Sequence, residues 1–408
     1  MAVDDRAAIA HLLRRTGFGP FPGQVEALNA GGLAAAVDAV LNGTPSPLPA
    51  APTLDDGDGE RPPEWWIRRM RDPGAGLVEK MTWFWHGLLT TEYFKVGSWR
   101  QLWDQHQLLR RNALGNYRTM LQEITIDPAM LIYLDGDPSE AVDPNENYSR
   151  ELQELFTIGV EHVTEENVKA GAKALAGWDV NWQTGVATFY PAHAISTPVM
   201  FLGRSCLRAE DVVNAAIDHP ACAPFVAAKL YRYFHGVEPD PTRKAQLGDL
   251  FRAEGYEIFP LVDAIIRDPA LFGADRRFNR ARTPVEYASA AFAAIANDDI
   301  RWETDVVDEM GQLPFFPPNV AGWPLGNRWL AANVAVLRAH IGNEAPAIPA
   351  IVDAADPVQA ALDRCALYEV SPRTRDALNT ARAALPNPTV RARMLLGLVV
   401  SSPDMALA

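Results

Sequence analysis

Apolar residues recur at helical spacing through most of this chain. The three-and-four rhythm runs over 9–13, 32–41, 77–89, 102–114 and 117–126. It returns over 148–158, 166–178, 221–234, 260–266, 285–295, 329–341, 373–385 and 389–400. Several of these runs follow an Asp-Pro, His-Pro or Ser-Pro step, as at Asp127-Pro128, His219-Pro220, Asp268-Pro269 and Ser402-Pro403, where proline suits a first helical turn. The pattern predicts a mainly α fold, a large multi-helix assembly with long proline-rich loops. Period-two alternation is confined to one place: Thr188 to Tyr190 and Val199 to Phe201, with turn residues between them, read as one small β-hairpin. Stretches 44–63 and 344–356, rich in proline, glycine, alanine and acidic residues, read as loops, the first of them flexible. Neither separates domains, so the expected organisation is one helical domain over 1–408; two poorly separated lobes around a loop and hairpin region near 179–207 are the variant of it.

Composition narrows the class. The chain has 408 residues, 48% of them hydrophobic and 22% charged, which is ordinary for a protein with a sizeable core. With 51 acidic and 37 basic side chains the net charge is -14, which opposes binding to a phosphate backbone, so nucleic acid is not expected as a partner. The three cysteines show no Cys-x-x-Cys pair and no disulfide-like density, in keeping with a reducing compartment. The start, with Asp4, Asp5 and Arg6, lacks a basic stretch and apolar block, and no apolar run approaches the ~20 residues that cross a bilayer; a cytoplasmic protein without a membrane span is the expectation.

Candidate chemistry concentrates in one helix. From residue 145 on, Asn147, Glu151 and Glu154 fall at i, i+4 and i+7 and so share one stripe, while Tyr148, Leu152 and Leu155 form the adjoining apolar face. In a desolvated pocket two such carboxylates would separate in pKa and supply a general acid and a general base. On a solvated face, the commoner arrangement, Arg150 would instead pair with Glu154, and Asn145 or Asn147 would cap the helix. His86, within Trp83-Phe-Trp-His86, is expected to be at least partly buried and reads as a base or ligand, or more simply as a core histidine; His106 on the following helix could face it if the two helices pack antiparallel. Arg14 ends the first helix, where it caps carbonyls or clamps an anion. Trp323, between prolines, is fixed against the body or lines a pocket. The acidic run Asp135, Asp137, Asp143 and Glu146 offers oxygen ligands for a divalent metal, without EF-hand spacing. No Gly-x-Ser-x-Gly elbow or phosphate loop is present.

Five blocks in order, His11-Leu-Leu-Arg-Arg-Thr-Gly-Phe-Gly-Pro20, Trp83-Phe-Trp-His86, Asp127-Pro-Ala-Met-Leu-Ile-Tyr-Leu-Asp135, Asn145-Glu-Asn-Tyr-Ser-Arg-Glu-Leu-Gln-Glu-Leu-Phe-Thr-Ile-Gly159 and Pro317-Pro-Asn-Val-Ala-Gly-Trp-Pro324, make the chain resemble the domain of unknown function 1800 from about residue 9 to Asp404. The resemblance implies a large helical bacterial protein. It also implies relatives that are often exported and a gene neighbour of a sulfatase-like family as partner, but no reaction. Where the family pattern commonly has His-Asn-His-Phe, this chain has His86-Gly-Leu-Leu, and a usual His-Asp pair is His193-Ala194. Two ligands or acid-base groups are therefore missing from a family-based metal site. Three functions fit these residues. One is an enzyme acting on a small polar molecule in a pocket of His86, Asn147, Arg150, Glu151 and Glu154, with a divalent metal as an option. The others are a non-catalytic scaffold whose polar network is structural, and a module that binds a small ligand without turning it over.

Overall fold

A computed structural model describes residues 5–55 and 59–408. Among them are 22 α-helices and two two-stranded antiparallel sheets, so the chain is mainly α, as its periodicity predicts. Buried apolar side chains form one contiguous cluster that runs from Ile9 to Met405. At its centre lies helix Pro284–Ala294, buried on every face. Helices Gly76–Leu88 and Cys222–His235 are also largely buried, and with Pro284–Ala294 they carry His86, Tyr233, Lys229 and Glu286.

Local chemistry sets many of the helix ends. Asp127 accepts from the Met130 N–H and Pro128 opens the turn after it, while Gly236 at φ +74° stops helix Cys222–His235 in a conformation that costs glycine little. Ser402-Pro403 departs from this pattern: the residues after it form turns, not a helix. Helix Pro62–Met70 begins inside the stretch expected to be loop. The described part of that loop is tied to the helix, since Trp65 Nε1 donates to the Ala50 carbonyl at 2.6 Å and Arg69 to Ser46 Oγ at 2.7 Å. The loop expected over 344–356 carries the short helix Pro349–Val352.

The expected single hairpin is instead two. Strand Val186–Phe189 pairs with Trp178–Asn181, and strand Val199–Phe201 with Arg204–Cys206. Each strand closes on its sequence neighbour through a turn with positive φ, at Gly185 in the first and at Leu202 and Gly203 in the second. Among the described residues no helix is long and apolar enough to cross a membrane.

The run 148–158 is not one α-helix. Helix Asn147–Glu151 passes directly into a π-helical segment, Leu152–Thr157, in which the Ile158 N–H reaches the Gln153 carbonyl and Thr157 Oγ1 the Leu152 carbonyl, both five residues back.

Candidate functional site

The polar groups of the segment from Asn147 to Glu154 are engaged by neighbouring side chains. Arg150 lies between three carboxylates, at 2.7 Å from Glu165, 3.4 Å from Glu146 and 3.7 Å from Glu154. Asn147 Nδ2 donates to Asp135 at 3.1 Å, and Asn145 Oδ1 accepts from the Asn147 N–H. Glu151 is half-buried; burial first, and then the neighbouring Glu154, push its carboxyl above the usual range against the pull of Arg150. The inward face of the same segment holds polar groups that the stripe did not reveal. Gln153 Nε2 donates to the Ser149 carbonyl, Ser149 Oγ to the Val168 carbonyl, and buried Gln153 Oε1 has no hydrogen-bond partner among the described residues. The Ser149, Gln153, Thr157 spacing of i, i+4, i+8 was the available signal.

The acidic loop ahead of this helix is engaged as well. Asp135 takes Lys95 at 2.7 Å, and Asp137 accepts from the Val180 N–H and Trp182 Nε1. Among the described residues no three His, Cys, Asp or Glu side chains are placed to hold a metal ion.

His86 sits in an aromatic cage. The rings of Trp66, Trp83, Phe315 and Trp323 lie 5.0, 5.8, 5.2 and 5.5 Å from its own. Its Nε2 accepts from the Phe315 N–H at 3.1 Å. Burial lowers its pKa to about 3, so it is neutral at pH 7. His106 packs on Trp66 and Phe315 too, and its ring nitrogens are hydrogen-bonded to Gln107 and Arg110; the two histidines share an aromatic wall, and a charge on His86 acts on His106.

Arg14 and Arg15 tie the first helix to distant segments. Arg14 donates to the Ala366 carbonyl at 2.7 Å over the ring of Phe278, and Arg15 donates to the carbonyls of Arg276 and Ala408. Burial, with Arg282 nearby, brings the Arg14 guanidinium down to about 9.

A cavity of about 170 Å³ opens where two of the sequence blocks meet. Trp83 and Gly87 line it from helix Gly76–Leu88, and Ala321, Trp323 and Pro324 from the proline-flanked loop. The two blocks are joined tightly. Gly322 has φ +75°, and a Cβ there would fall 2.2 Å from the Gly87 carbonyl oxygen, so only glycine fits. Thr90 Oγ1 donates to the Val320 carbonyl at 2.6 Å, and the rings of Trp83 and Trp323 stack with centroids 5.0 Å apart. The Tyr233 hydroxyl and Trp323 Nε1 belong to cavity-lining residues, and both are buried without a hydrogen-bond partner among the described residues, while the Thr283 side chain meets the Glu286 N–H in a capping box. Such groups are costly to leave unsatisfied.

Beside this wall is a fully buried charge cluster. Lys80 pairs with Glu286, and Glu286 with Arg280 at 2.8 Å, while Lys80 Nζ also donates to the Gly17 carbonyl and lies 5.4 Å from the Tyr233 ring centre. Burial opposes ionisation of Glu286, but Arg280 and Lys80 outweigh it and hold the carboxyl below its usual range. Lys80 itself is brought to about 8 by burial, with Glu286 opposing. Both remain charged at pH 7.

Of the residues singled out in the sequence, the structure gathers Asn147, Arg150, Glu151 and Glu154 on one segment, and packs His86 against Trp323, which lines the cavity. No hydrogen bond, ion pair or ring contact among the described residues links the first group to the second, or Arg14 to either. Tyr233, Thr283, Lys229, Lys80 and Glu286 were not singled out. No curated protein and no solved structure matches the chain. The family model described as "Protein of unknown function (DUF1800)" matches residues 11–407, nearly the whole length, and the chain belongs to that family.

Proposed function

We propose that this protein binds a small molecule in the cavity between Trp83, Trp323 and Tyr233. The observation that supports the reading is a cavity whose lining includes Tyr233 and Trp323, each carrying a buried donor without a hydrogen-bond partner among the described residues, the Tyr233 hydroxyl and Trp323 Nε1. A compact ligand that meets them repays a desolvation cost the fold already carries. The stacked indoles give it a flat apolar surface, and their rigidity limits the entropy lost on binding.

Thermal-shift screening of a small-metabolite library against the full chain, with Tyr233→Phe and Trp323→Phe in parallel, tests this. A true ligand raises the melting temperature of the parent protein, and each variant weakens it by about 3- to 10-fold, the value of one neutral hydrogen bond. Hits that both variants bind as tightly as the parent would sink the proposal.

A second reading, acid-base catalysis, draws support from Glu151, whose carboxyl lies above the usual range beside Glu154. In it Glu151 donates the proton, Glu154 accepts one, Asn147 and Arg150 orient the substrate, and His86 only positions the aromatic wall. Mass spectrometry of a bound hit over several hours separates the readings. Slow conversion that Glu151→Gln abolishes favours the enzyme, and unchanged ligand favours the binding module.

A further inference from the structure

We infer that the cavity selects an anion: a compact, flat molecule bearing a carboxylate or phosphate, with Lys229 as the residue that reads its charge. The inference rests on the ligand-binding reading and adds the ligand's class to it.

Charge distribution is the first support. In a chain of net charge -14, the cavity is lined by two cations, Lys229 and Arg232, and by no carboxylate among the described residues. Arg232 is already paired, to Glu238 at 2.9 Å. Lys229 has no carboxylate within ion-pair distance among the described residues; its ammonium lies 4.7 Å from the centre of the Phe225 ring, partly buried. Burial, with Arg232 adding like charge, lowers its pKa against the pull of Glu238. A half-buried ammonium whose acidic neighbour Glu238 is already paired with Arg232 gains from an arriving anion.

Donor inventory is the second support. Indole Nε1 and an ammonium can only donate, and the Tyr233 hydroxyl can donate as well, so these groups call for acceptor atoms on the ligand. Carboxylate and phosphate oxygens are acceptors only. The volume fixes the size: about 170 Å³ admits a single ring or its equivalent, with the charged end toward Lys229.

Isothermal titration calorimetry of the full chain with benzoate, its neutral isostere benzamide, and inorganic phosphate tests the assignment, using Lys229→Met and Trp323→Phe alongside the parent. Benzoate or phosphate is expected to bind at least about tenfold tighter than benzamide, and Lys229→Met to remove that preference while leaving benzamide affinity unchanged. Trp323→Phe should weaken benzoate and benzamide alike. Benzoate binding without phosphate binding assigns a carboxylate, and the reverse assigns a phosphate. Equal affinity for benzoate and benzamide, or a preference that survives Lys229→Met, overturns the anion assignment and leaves the cavity reading intact. Binding indifferent to Trp323→Phe places the anion elsewhere and overturns the inference; failure of all three probes overturns the anion inference, while the ligand-binding reading falls only with the library screen.

Discussion

The carboxylate stripe at 147–154 and the aromatic cavity hold comparable numbers of polar groups in opposite states. On the stripe, Arg150 meets three carboxylates and Asn147 meets Asp135, mostly in partial contact with solvent. At the cavity, Tyr233 and Trp323 carry buried donors without a hydrogen-bond partner, and Lys229 has no carboxylate within ion-pair distance, among the described residues. Charged residues at regular spacing are easy to see in a sequence, but a group already satisfied by its neighbours has little left to offer a ligand. Binding capacity resides where desolvation has been incurred and not yet repaid.

If that contrast is right, the largest stability effect should come from the charge cluster beside the cavity. Glu286 faces Lys80 and Arg280, all three essentially excluded from water. Glu286→Ala leaves two buried cations without their anion and should lower stability by about 3–5 kcal/mol, measured by urea unfolding. A loss below about 1 kcal/mol would mean that water reaches the cluster, and the cavity would no longer count as backed by a dry charged wall.

His86 gives a smaller effect with a pH signature. The folded ring titrates at about 3 and the ordinary histidine value is 6.5, so between those values the unfolded chain binds the proton that the folded one refuses. The contribution of His86 to stability is therefore complete above pH 6.5 and is lost as the pH falls toward 3. His86→Leu should cost about 1–3 kcal/mol at pH 7, because the buried Phe315 N–H loses its acceptor, yet it should lose less than the parent between pH 7 and pH 4.5. Parallel urea midpoints for the two proteins at the two pH values check this. An unchanged acid response in the variant would mean that His86 already has access to protons, as the catalytic reading of that residue requires.

Sequence reasoning reached different depths in these regions for physical reasons. Helices with a clear apolar face were legible, whereas helix Pro241–Ala253 was not, since it buries only Leu247, Gly248 and Phe251. Helix Pro62–Met70 was hidden by its opening Pro-Pro, which reads as loop although proline suits a first turn. His86 and Trp323 stood out because each lies in a distinctive block; their rings pack together, and Trp323 lines the cavity. Tyr233 and Lys229 come from a helix with no such block, and only tertiary packing brings them there. Glu286 was concealed by its local context: Thr283-Pro-Val-Glu286 reads as an exposed capping box, and Glu286 does accept from the Thr283 N–H, but the same carboxylate also holds Lys80 from 206 residues away. The π turn at Leu152–Thr157 kept helical periodicity while shifting its phase, so the sequence placed Glu151 and Glu154 on one stripe without revealing that Gln153 points inward.

The smallest expected effect bears most directly on the stripe. Glu154→Gln removes one of three carboxylates around Arg150, at 3.7 Å the most distant of them, and also removes a like charge next to Glu151. These changes oppose each other, and Arg150 keeps Glu146 and Glu165, so unfolding free energy should move by less than about 1 kcal/mol and ligand affinity at the cavity not at all. Calorimetry and urea unfolding on the one variant read both quantities. If affinity fell while stability held, Glu154 would have to contact the ligand. The π segment would then join the cavity wall in a single site, since a stripe that merely satisfies itself cannot report on what the cavity holds.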